Sequence, residues 1–294
     1  MVNRSLVRKK SLMLLTGRLL PAMLLALLAE VITLAVSFLQ NAAYKAFGVT
    51  LVSASDLLTE EAVDAFIAQF VTDRALLLKL ALIGGAAAVV TFIVAAPLRF
   101  GTLRWFRAAA KGDPQPLGYA LNSYGTLRDI GRSLWIYAYT GLHCLKWAAL
   151  IFPVPFAVLI LGYSFFCDAV AAGTGTGLSE LLVGVGLLLT VAATVLFIYI
   201  ITRFFLAPYI YAEGDVSAVE AVRESRERMR GQAGGLLVFM LSLIPLILLA
   251  SLLCYGAATI IVTPYTQMCF AVYALELLGE APQQKPDDIE YTVE

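Results

Sequence analysis

Six long apolar segments alternate with short polar connections along the chain. They cover residues 19–39, 76–98, 134–160, 181–207, 236–255 and 258–278. A helix that crosses a bilayer needs about 20 mostly apolar residues, so each segment is long enough to be a transmembrane helix. The tract 236–278 is too long for one span, and we place its turn at Gly256, with Pro264 kinking the sixth helix. The pattern predicts an all-α, polytopic membrane protein with one six-helix domain over residues 1–280.

Composition supports this class of protein. Of the 294 residues, 60% are hydrophobic and 14% are charged. An ordinary soluble domain is about 45–50% apolar and about 25% charged, so a soluble globular protein is excluded. The 21 basic and 21 acidic residues balance, and nothing in the charge indicates a nucleic-acid partner. The expected partners are membrane lipids, with another membrane protein as a further candidate.

Most lysines and arginines lie in the connections on one side of the predicted membrane. Cytoplasmic loops carry an excess of these residues, so that side is predicted to be cytoplasmic. Both termini then lie in the cytoplasm, and the protein is placed in the cytoplasmic membrane. The acidic tail 281–294 is expected to be a disordered cytoplasmic segment. The basic residues on the predicted cytoplasmic side are Arg4, Arg8, Lys9, Lys10, Arg18, Arg99, Arg104, Arg107, Lys111, Arg128, Arg132, Arg223, Arg226, Arg228 and Arg230.

Two connections on that side resemble each other. Residues 110–123 (AKGDPQPLGYALNS) and 212–225 (AEGDVSAVEAVRES) align without gaps, and each contains a Gly-Asp pair typical of a turn that leads into a helix. In the second connection, Ser217 and Glu220 have the spacing of a helix capping box. The alternative is chance similarity between two short polar segments.

The N-terminus contains a candidate third copy. Ser11 and Gly17 have the same spacing as Ser225 and Gly231. The chain is therefore predicted to contain three repeats, each an amphipathic interfacial helix followed by a transmembrane hairpin.

Four ionisable residues stand out among those inside or at the end of the predicted spans. They are Glu30, His143, Lys146 and Arg203. A charge at membrane depth is unfavourable by about 2.5–3.5 kcal/mol, so each needs a partner or a function. Glu30 and Lys146 are at similar depth, which predicts a buried ion pair with His143 beside it as a titratable group. The cluster is interpreted either as an ion or headgroup pathway or as a structural clamp between helices.

Basic residues around Trp105 are candidate contacts for lipid headgroups. Trp105 itself is expected at the level of the headgroups. Each basic residue near an anionic surface adds about 1 kcal/mol of attraction. The alternative is that these residues only anchor the loops on the cytoplasmic side. The candidate contacts are Arg104, Arg107, Lys111, Arg128 and Arg132.

Motifs of known enzymes are missing from the sequence. It contains no HExxH, no P-loop and no GxSxG, and its single histidine excludes a histidine-rich metal site. No catalytic, cofactor-binding or metal-binding residue is predicted, and the protein is expected not to be an enzyme.

The second half of the chain resembles a known family. The resemblance is carried by RFFLAPYIYAEGD (203–215), AVEAVRESRERMRG (218–231), Thr263-Pro264-Tyr265 and Ala271-Val272-Tyr273. These residues resemble the bacterial integral-membrane family called domain of unknown function 975, and they are distantly similar to the membrane domain of some glycerophosphodiester phosphodiesterases. The resemblance implies a six-helix protein of the bacterial cytoplasmic membrane with no assigned reaction.

Two hypotheses for the function follow. The first is a lipid-interacting scaffold or accessory subunit of the membrane, which predicts a dry helix core. The second is a small transporter or lipid translocator, which predicts a cavity containing Glu30, His143 and Lys146.

Overall fold

The computed structural model describes residues 2–49, 74–113, 115–173, 175–214, 216–253 and 259–280. These residues form helices joined by short turns and contain no β-strand. The prediction of an all-α fold is confirmed. The predicted turn at Gly256 and the predicted tail 281–294 lie outside the described residues.

The helices follow one another with few residues between them. A short 3₁₀-helix, Asn122–Tyr124, follows the fourth α-helix. The α-helices are α1 (Arg4–Leu15), α2 (Leu19–Ala46), α3 (Arg74–Ala110), α4 (Gly118–Leu121), α5 (Leu127–Ile151), α6 (Pro153–Ala171), α7 (Gly177–Thr202), α8 (Ala207–Tyr211), α9 (Ala218–Arg228), α10 (Ala233–Leu253) and α11 (Thr259–Leu278).

Five of these helices, α2, α3, α7, α10 and α11, are each long and apolar enough to cross a membrane. Helices α5 and α6 meet the same test only together, and they are bent by 45° at Phe152. The break follows from Pro153, which has no backbone N–H and therefore begins a new helix more readily than it continues one. The chain is thus a multi-pass membrane protein, and the third predicted span is a bent pair rather than one straight helix.

Helices α6 and α7 form a closely packed hairpin that depends on two glycines. A Cβ atom on Gly162 would lie 2.9 Å from the backbone nitrogen of Val183, and one on Gly186 would lie 2.7 Å from the side chain of Leu159. Both distances are too short for a real carbon contact. The absent side chains therefore let the two backbones approach, as small residues do in membrane helix pairs.

The two aligned connections have matching local structure. Gly112 and Gly214 occupy equivalent positions and both have positive φ, at +88° and +94°. The capping box is present as predicted, because Ser217 Oγ accepts from Glu220 N and the Glu220 carboxylate accepts from Ser217 N. The same turn therefore precedes the short helices α4 and α9.

The proposed third copy shares two further features with the others. Ser11, Ser123 and Ser225 are all fully buried, although serine is usually exposed. Gly17 and Gly231 both have φ of +80° at the end of a short helix. Each short helix, α1, α4 with its 3₁₀ turn, and α9, comes directly before a pair of long helices, as the three-unit repeat requires.

The buried core lies where these short helices gather, which we call the connector end of the bundle. It joins side chains of α1, α8 and α9 to the adjoining ends of α3, α10 and α11. Along the long helices away from this end, many large apolar side chains are exposed, such as Phe38, Leu188 and Leu252. That distribution fits helices whose outer faces meet lipid rather than water.

Trp105 is buried inside the connector end, so its side chain is not exposed to lipid headgroups. It is the largest fully buried side chain, with an exposed fraction of 1%. Its indole Nε1 donates to the carbonyl oxygen of Gln115 at 3.0 Å, and its ring meets Phe106 edge-on. The turn at Gly112 folds the following segment back over the end of α3, so the tryptophan becomes a core residue.

Helix α3 touches α4 through Gly101. A Cβ atom at this position would lie 1.8 Å from the carbonyl oxygen of Ala120 and 3.0 Å from Ser123 Oγ. Only glycine permits this approach, so Gly101 fixes where Ser123 sits against α3.

Side chains of the connector end stabilise two proline kinks. Pro97 interrupts α3 and Pro245 interrupts α10. The hydroxyl of Tyr124 donates to the carbonyl oxygen of Val94, three residues before Pro97. The guanidinium of Arg8 donates to the carbonyl oxygen of Ser242, at 2.9 Å and also three residues before its proline. Proline disturbs the hydrogen bonds of its preceding turn, and neighbouring helices supply replacements here.

Candidate functional site

The structure does not bring the predicted cluster of Glu30, His143 and Lys146 together. Glu30 is exposed on α2, Lys146 is exposed on α5, and no ion pair joins them. Helix α2 packs mainly on α3 and α11, whereas α5 packs mainly on α3 and α7. The predicted Glu30–Lys146 pair is therefore absent, and the two charges lie on different faces of the bundle.

His143 is held among aromatic rings. Its Nδ1 lies 3.0 Å from the carbonyl oxygen of Tyr139, and its ring contacts Tyr139 and Phe204 at centroid distances of 4.7 and 5.8 Å. The fourth member of the predicted cluster, Arg203, ends α7, and its carbonyl oxygen accepts from Ser225 Oγ at 2.9 Å. Arg203 thereby joins α7 to α9 through its backbone.

Two of the predicted headgroup contacts, Arg107 and Lys111, are used inside the protein. Arg107 is buried and pairs with Glu213 and with Glu280, the latter at 2.8 Å. Lys111 also pairs with Glu280, at 2.6 Å. This network ties the end of α3 to the segments after α8 and after α11. We call these four residues the Arg107 network.

The two acids of the Arg107 network have opposite pKa shifts. Burial raises the pKa of Glu213, and its hydrogen bond with Glu280 raises it further against the opposing effect of Arg107. Burial alone would also raise the pKa of Glu280, but hydrogen bonds from Glu213, Lys111 and Arg107 outweigh it and lower this pKa to about 2. Of the two acids, Glu280 is therefore the one that stays ionised to the lower pH.

Arg104 and Arg132 are held by tyrosine rings rather than by acids. The guanidinium carbon of Arg104 lies 5.0 Å from the ring centre of Tyr119, and that of Arg132 lies 5.3 Å from the ring centre of Tyr211. Arg104 also donates to the Tyr119 hydroxyl at 3.3 Å. Among the described residues, neither arginine has a carboxylate oxygen within 4.0 Å. The last predicted contact, Arg128, is exposed one turn before Arg132.

Arg104 and Arg132 face a common cavity of about 210 Å³ at the connector end, which we call the polar cavity. Its floor includes the buried hydroxyl of Ser123. The other residues that line it are Phe100, Asp129, Ala212, Glu213 and Gly214.

A second site lies beside α3, and the sequence analysis did not single it out. Two adjoining cavities, of about 380 and 490 Å³, share Arg99 and Tyr137 in their walls, and we call them together the Arg99 groove. One is lined by α2, α3 and α11, including Ala22, Leu25, Ala26, Ala29, Thr263, Pro264 and Gln267. The other follows α3 along Gly84, Ala87, Ala88, Thr91, Phe92, Ala95 and Ala96.

The groove has a signal in the sequence. Small residues recur at positions 84, 87, 88, 91, 95 and 96, which is helical spacing along one face of α3. Arg99 follows at the end of this stripe. In the sequence analysis Arg99 served only to orient the chain, because a stripe of small residues also describes ordinary helix packing.

Metal binding has no support within the described ranges, where no three His, Cys, Asp or Glu side chains are close enough to hold an ion.

Comparisons with known proteins identify the family of this chain but no individual relative. No curated protein and no solved structure matches the chain. The model of the family described as protein of unknown function (DUF975) matches residues 1–281. Because this match extends over nearly the whole chain, the protein belongs to the DUF975 family.

Proposed function

We propose that the protein is a non-enzymatic, lipid-binding scaffold or accessory subunit of the bacterial cytoplasmic membrane. In this proposal the connector end and both termini face the cytoplasm, since the arginines and lysines concentrate there. The Arg99 groove holds an anionic phospholipid as a structural lipid. The observation that carries the proposal is the position of one unpaired arginine at the end of an apolar groove.

The depth of Arg99 suits a headgroup. The apolar part of α3 begins at Leu78. At 1.5 Å per residue, Arg99 lies about 32 Å farther along the helix, which matches the roughly 30 Å thickness of the hydrocarbon core. Arg99 is exposed and, within the described residues, has no carboxylate within 4.0 Å. A phosphate diester at the interface would supply the missing counter-charge.

The groove is long enough for an acyl chain. From Gly84 to Arg99 it follows α3 for about 22 Å, whereas one leaflet contributes roughly 15 Å of hydrocarbon. Alanine and glycine make up half of the residues that line the cavity along α3, and they leave room for a chain beside the helix. Tyr137 and Gln267 add hydrogen-bonding groups beside Arg99, as expected for a site that holds both an apolar tail and a polar head.

The transporter hypothesis has less support. It requires Glu30, His143 and Lys146 to face one cavity, yet none of the three lines the Arg99 groove or the polar cavity. Because neither cavity joins these three charges, we favour the lipid-binding scaffold.

Native mass spectrometry of the purified full chain tests the proposal. The protein is released from nanodiscs that contain equal amounts of phosphatidylglycerol and phosphatidylcholine. We expect retained phosphatidylglycerol in the unmodified protein and about fivefold less in Arg99→Gln, since one basic contact is worth about 1 kcal/mol. Ala87→Leu, which fills the groove, should also reduce retention.

The matched control is Arg226→Gln, which removes an exposed arginine of α9 away from the groove. It should retain lipid like the unmodified protein. Equal retention of both lipids, or equal losses in Arg99→Gln and Arg226→Gln, would contradict the proposal.

A further inference from the structure

We propose that the polar cavity is a second, separate binding site and that it takes a phosphate group. The group is held by Arg104, Arg132 and Ser123. A phosphomonoester of a lipid headgroup and a free phosphate ester in the adjoining aqueous phase present the same chemistry, and the experiment below distinguishes them. The inference does not depend on the Arg99 groove, which lies on a different face of α3.

The internal repeat makes Ser123 stand out. In the first unit, Ser11 Oγ donates to the carbonyl oxygen of Val7 at 2.7 Å. In the third, Ser225 Oγ donates to the carbonyl oxygen of Arg203 at 2.9 Å. Ser123 is equally buried, with an exposed fraction of 1%, but its hydroxyl has no hydrogen-bond partner and lines the polar cavity. Buried polar groups are nearly always hydrogen-bonded, so this hydroxyl is available to a ligand.

The two arginines complete the site. The guanidinium carbon of each lies over a tyrosine ring, and Arg104 uses one N–H on the Tyr119 hydroxyl, which leaves further N–H groups for a ligand. The edge of a guanidinium carries up to five N–H donors and matches the geometry of phosphate oxygens. Two guanidinium groups and one hydroxyl provide three donor groups, one for each terminal oxygen of a phosphomonoester. A carboxylate offers only two oxygens.

The acids in the wall do not neutralise these arginines. Asp129 Oδ2 accepts from Thr126 Oγ1 at 2.7 Å, and Asp129 lies in the first turn of α5, where a carboxylate is favoured. Glu213 is paired with Arg107. Among the described residues, neither carboxylate lies within 4.0 Å of Arg104 or Arg132, so both guanidinium groups remain available to an anion.

The size of the polar cavity fits a small anion. Its volume of about 210 Å³ is several times the roughly 30 Å³ occupied by one water molecule. A phosphate with its linking oxygen fits within that space.

The test uses the full chain in nanodiscs and two probes. In the first arm the nanodiscs contain only phosphatidylcholine, and glycerol 3-phosphate is titrated by calorimetry. In the second arm they also contain phosphatidic acid, and retained lipid is measured by native mass spectrometry. We expect saturable binding in one arm, reduced about 10-fold or more in Arg132→Gln and about 5-fold in Ser123→Ala, as for hydrogen bonds to a charged group.

Arg128→Gln is the matched control, because Arg128 lies on the same helix but does not line the polar cavity. It should bind like the unmodified protein. Binding of glycerol 3-phosphate identifies a free phosphate ester, and binding of phosphatidic acid alone identifies a headgroup. No saturable binding in either arm, or equal losses in Arg128→Gln and Arg132→Gln, would overturn the inference. Thermal unfolding of each variant shows whether it is folded. If Arg132→Gln is not folded, Ser123→Ala still tests the site.

Discussion

Three buried serines occupy equivalent positions in the three units but have different surroundings. Ser225 bonds to the end of α7, whereas the hydroxyl of Ser123 has no partner. A buried hydrogen bond stabilises a protein by about 1 kcal/mol, and an unsatisfied buried hydroxyl is destabilising. We therefore expect Ser225→Ala to lower the free energy of unfolding by about 1 kcal/mol, and Ser123→Ala to leave it unchanged or raise it slightly. Denaturant unfolding in detergent measures both, and equal destabilisation by the two variants would contradict this interpretation.

Gly101 tests the contact between α3 and α4. An alanine Cβ there would overlap the carbonyl oxygen of Ala120, so α4 must move. Overpacking of this kind is destabilising by about 1–3 kcal/mol. The control is Gly85→Ala on the same helix, where nothing lies within 4 Å of the added carbon. It should be stabilising by up to about 1 kcal/mol, because alanine favours helix. The melting temperatures of the two variants should shift in opposite directions.

At the scale of elements, the connector-end helices stabilise kinks in the long ones. Tyr124→Phe removes the donor to Val94 beside Pro97 and keeps the ring. We expect a loss of about 1 kcal/mol in the free energy of unfolding. Tyr199→Phe, on an exposed face of α7, should have no effect. Chemical unfolding of both variants in the same detergent measures this loss. Equal destabilisation of Tyr199→Phe and Tyr124→Phe would contradict the expectation.

Hydropathy predicted the long helices but not how the chain turns between them. The segments 19–39 and 181–207 became α2 and α7, with ends shifted by several residues. The segment 134–160 was predicted as one span because apolar residues run through it, yet Pro153 divides it into α5 and α6. Trp105 was assigned to the interface from its neighbours in sequence, whereas the turn at Gly112 covers it. Local turn geometry decided both cases.

At the scale of the whole molecule, the Arg107 network joins the two halves of the chain to its C-terminal end. The pKa of Glu280 is about 2 in the folded protein against an ordinary value of 4.5. Its negative charge therefore stabilises the fold at neutral pH, and this contribution is lost progressively as the pH falls from 4.5 toward 2. The pKa of Glu213 is raised in the folded protein, so protonation of Glu213 as the pH falls stabilises the fold instead of destabilising it.

Comparison with Glu280→Gln isolates the contribution of Glu280. The melting temperature of the unmodified protein should fall more steeply below pH 4.5 than that of the variant. The two should approach each other as the pH falls to 2, where Glu280 is protonated in the unfolded chain and about half protonated in the folded chain. A difference that is the same at pH 7 and pH 2 would show that the Glu280 charge does not stabilise the fold.

The sequence indicates where a residue lies along its helix but not where that helix lies in the bundle. Glu30 and Lys146 were paired because they lie at similar distances from the ends of their helices. Which helices are neighbours depends on packing between distant segments, and α2 and α5 turn out to face different partners. The Arg99 groove was not predicted for the same reason, because its walls come from α2, α3, α5 and α11. The polar cavity was partly predicted, since Arg104 and Arg132 were candidate headgroup contacts.

We propose above all that an anionic phospholipid occupies the Arg99 groove. Photo-crosslinking tests it most directly, with a phosphatidylglycerol analogue that carries a diazirine on its acyl chain, followed by peptide mapping. We expect the crosslinked labels to be concentrated on the face of α3 from Gly84 to Ala96, and we expect Ala87→Leu to lose them. Labels spread evenly over all exposed helix faces, and unchanged by Ala87→Leu, would contradict it.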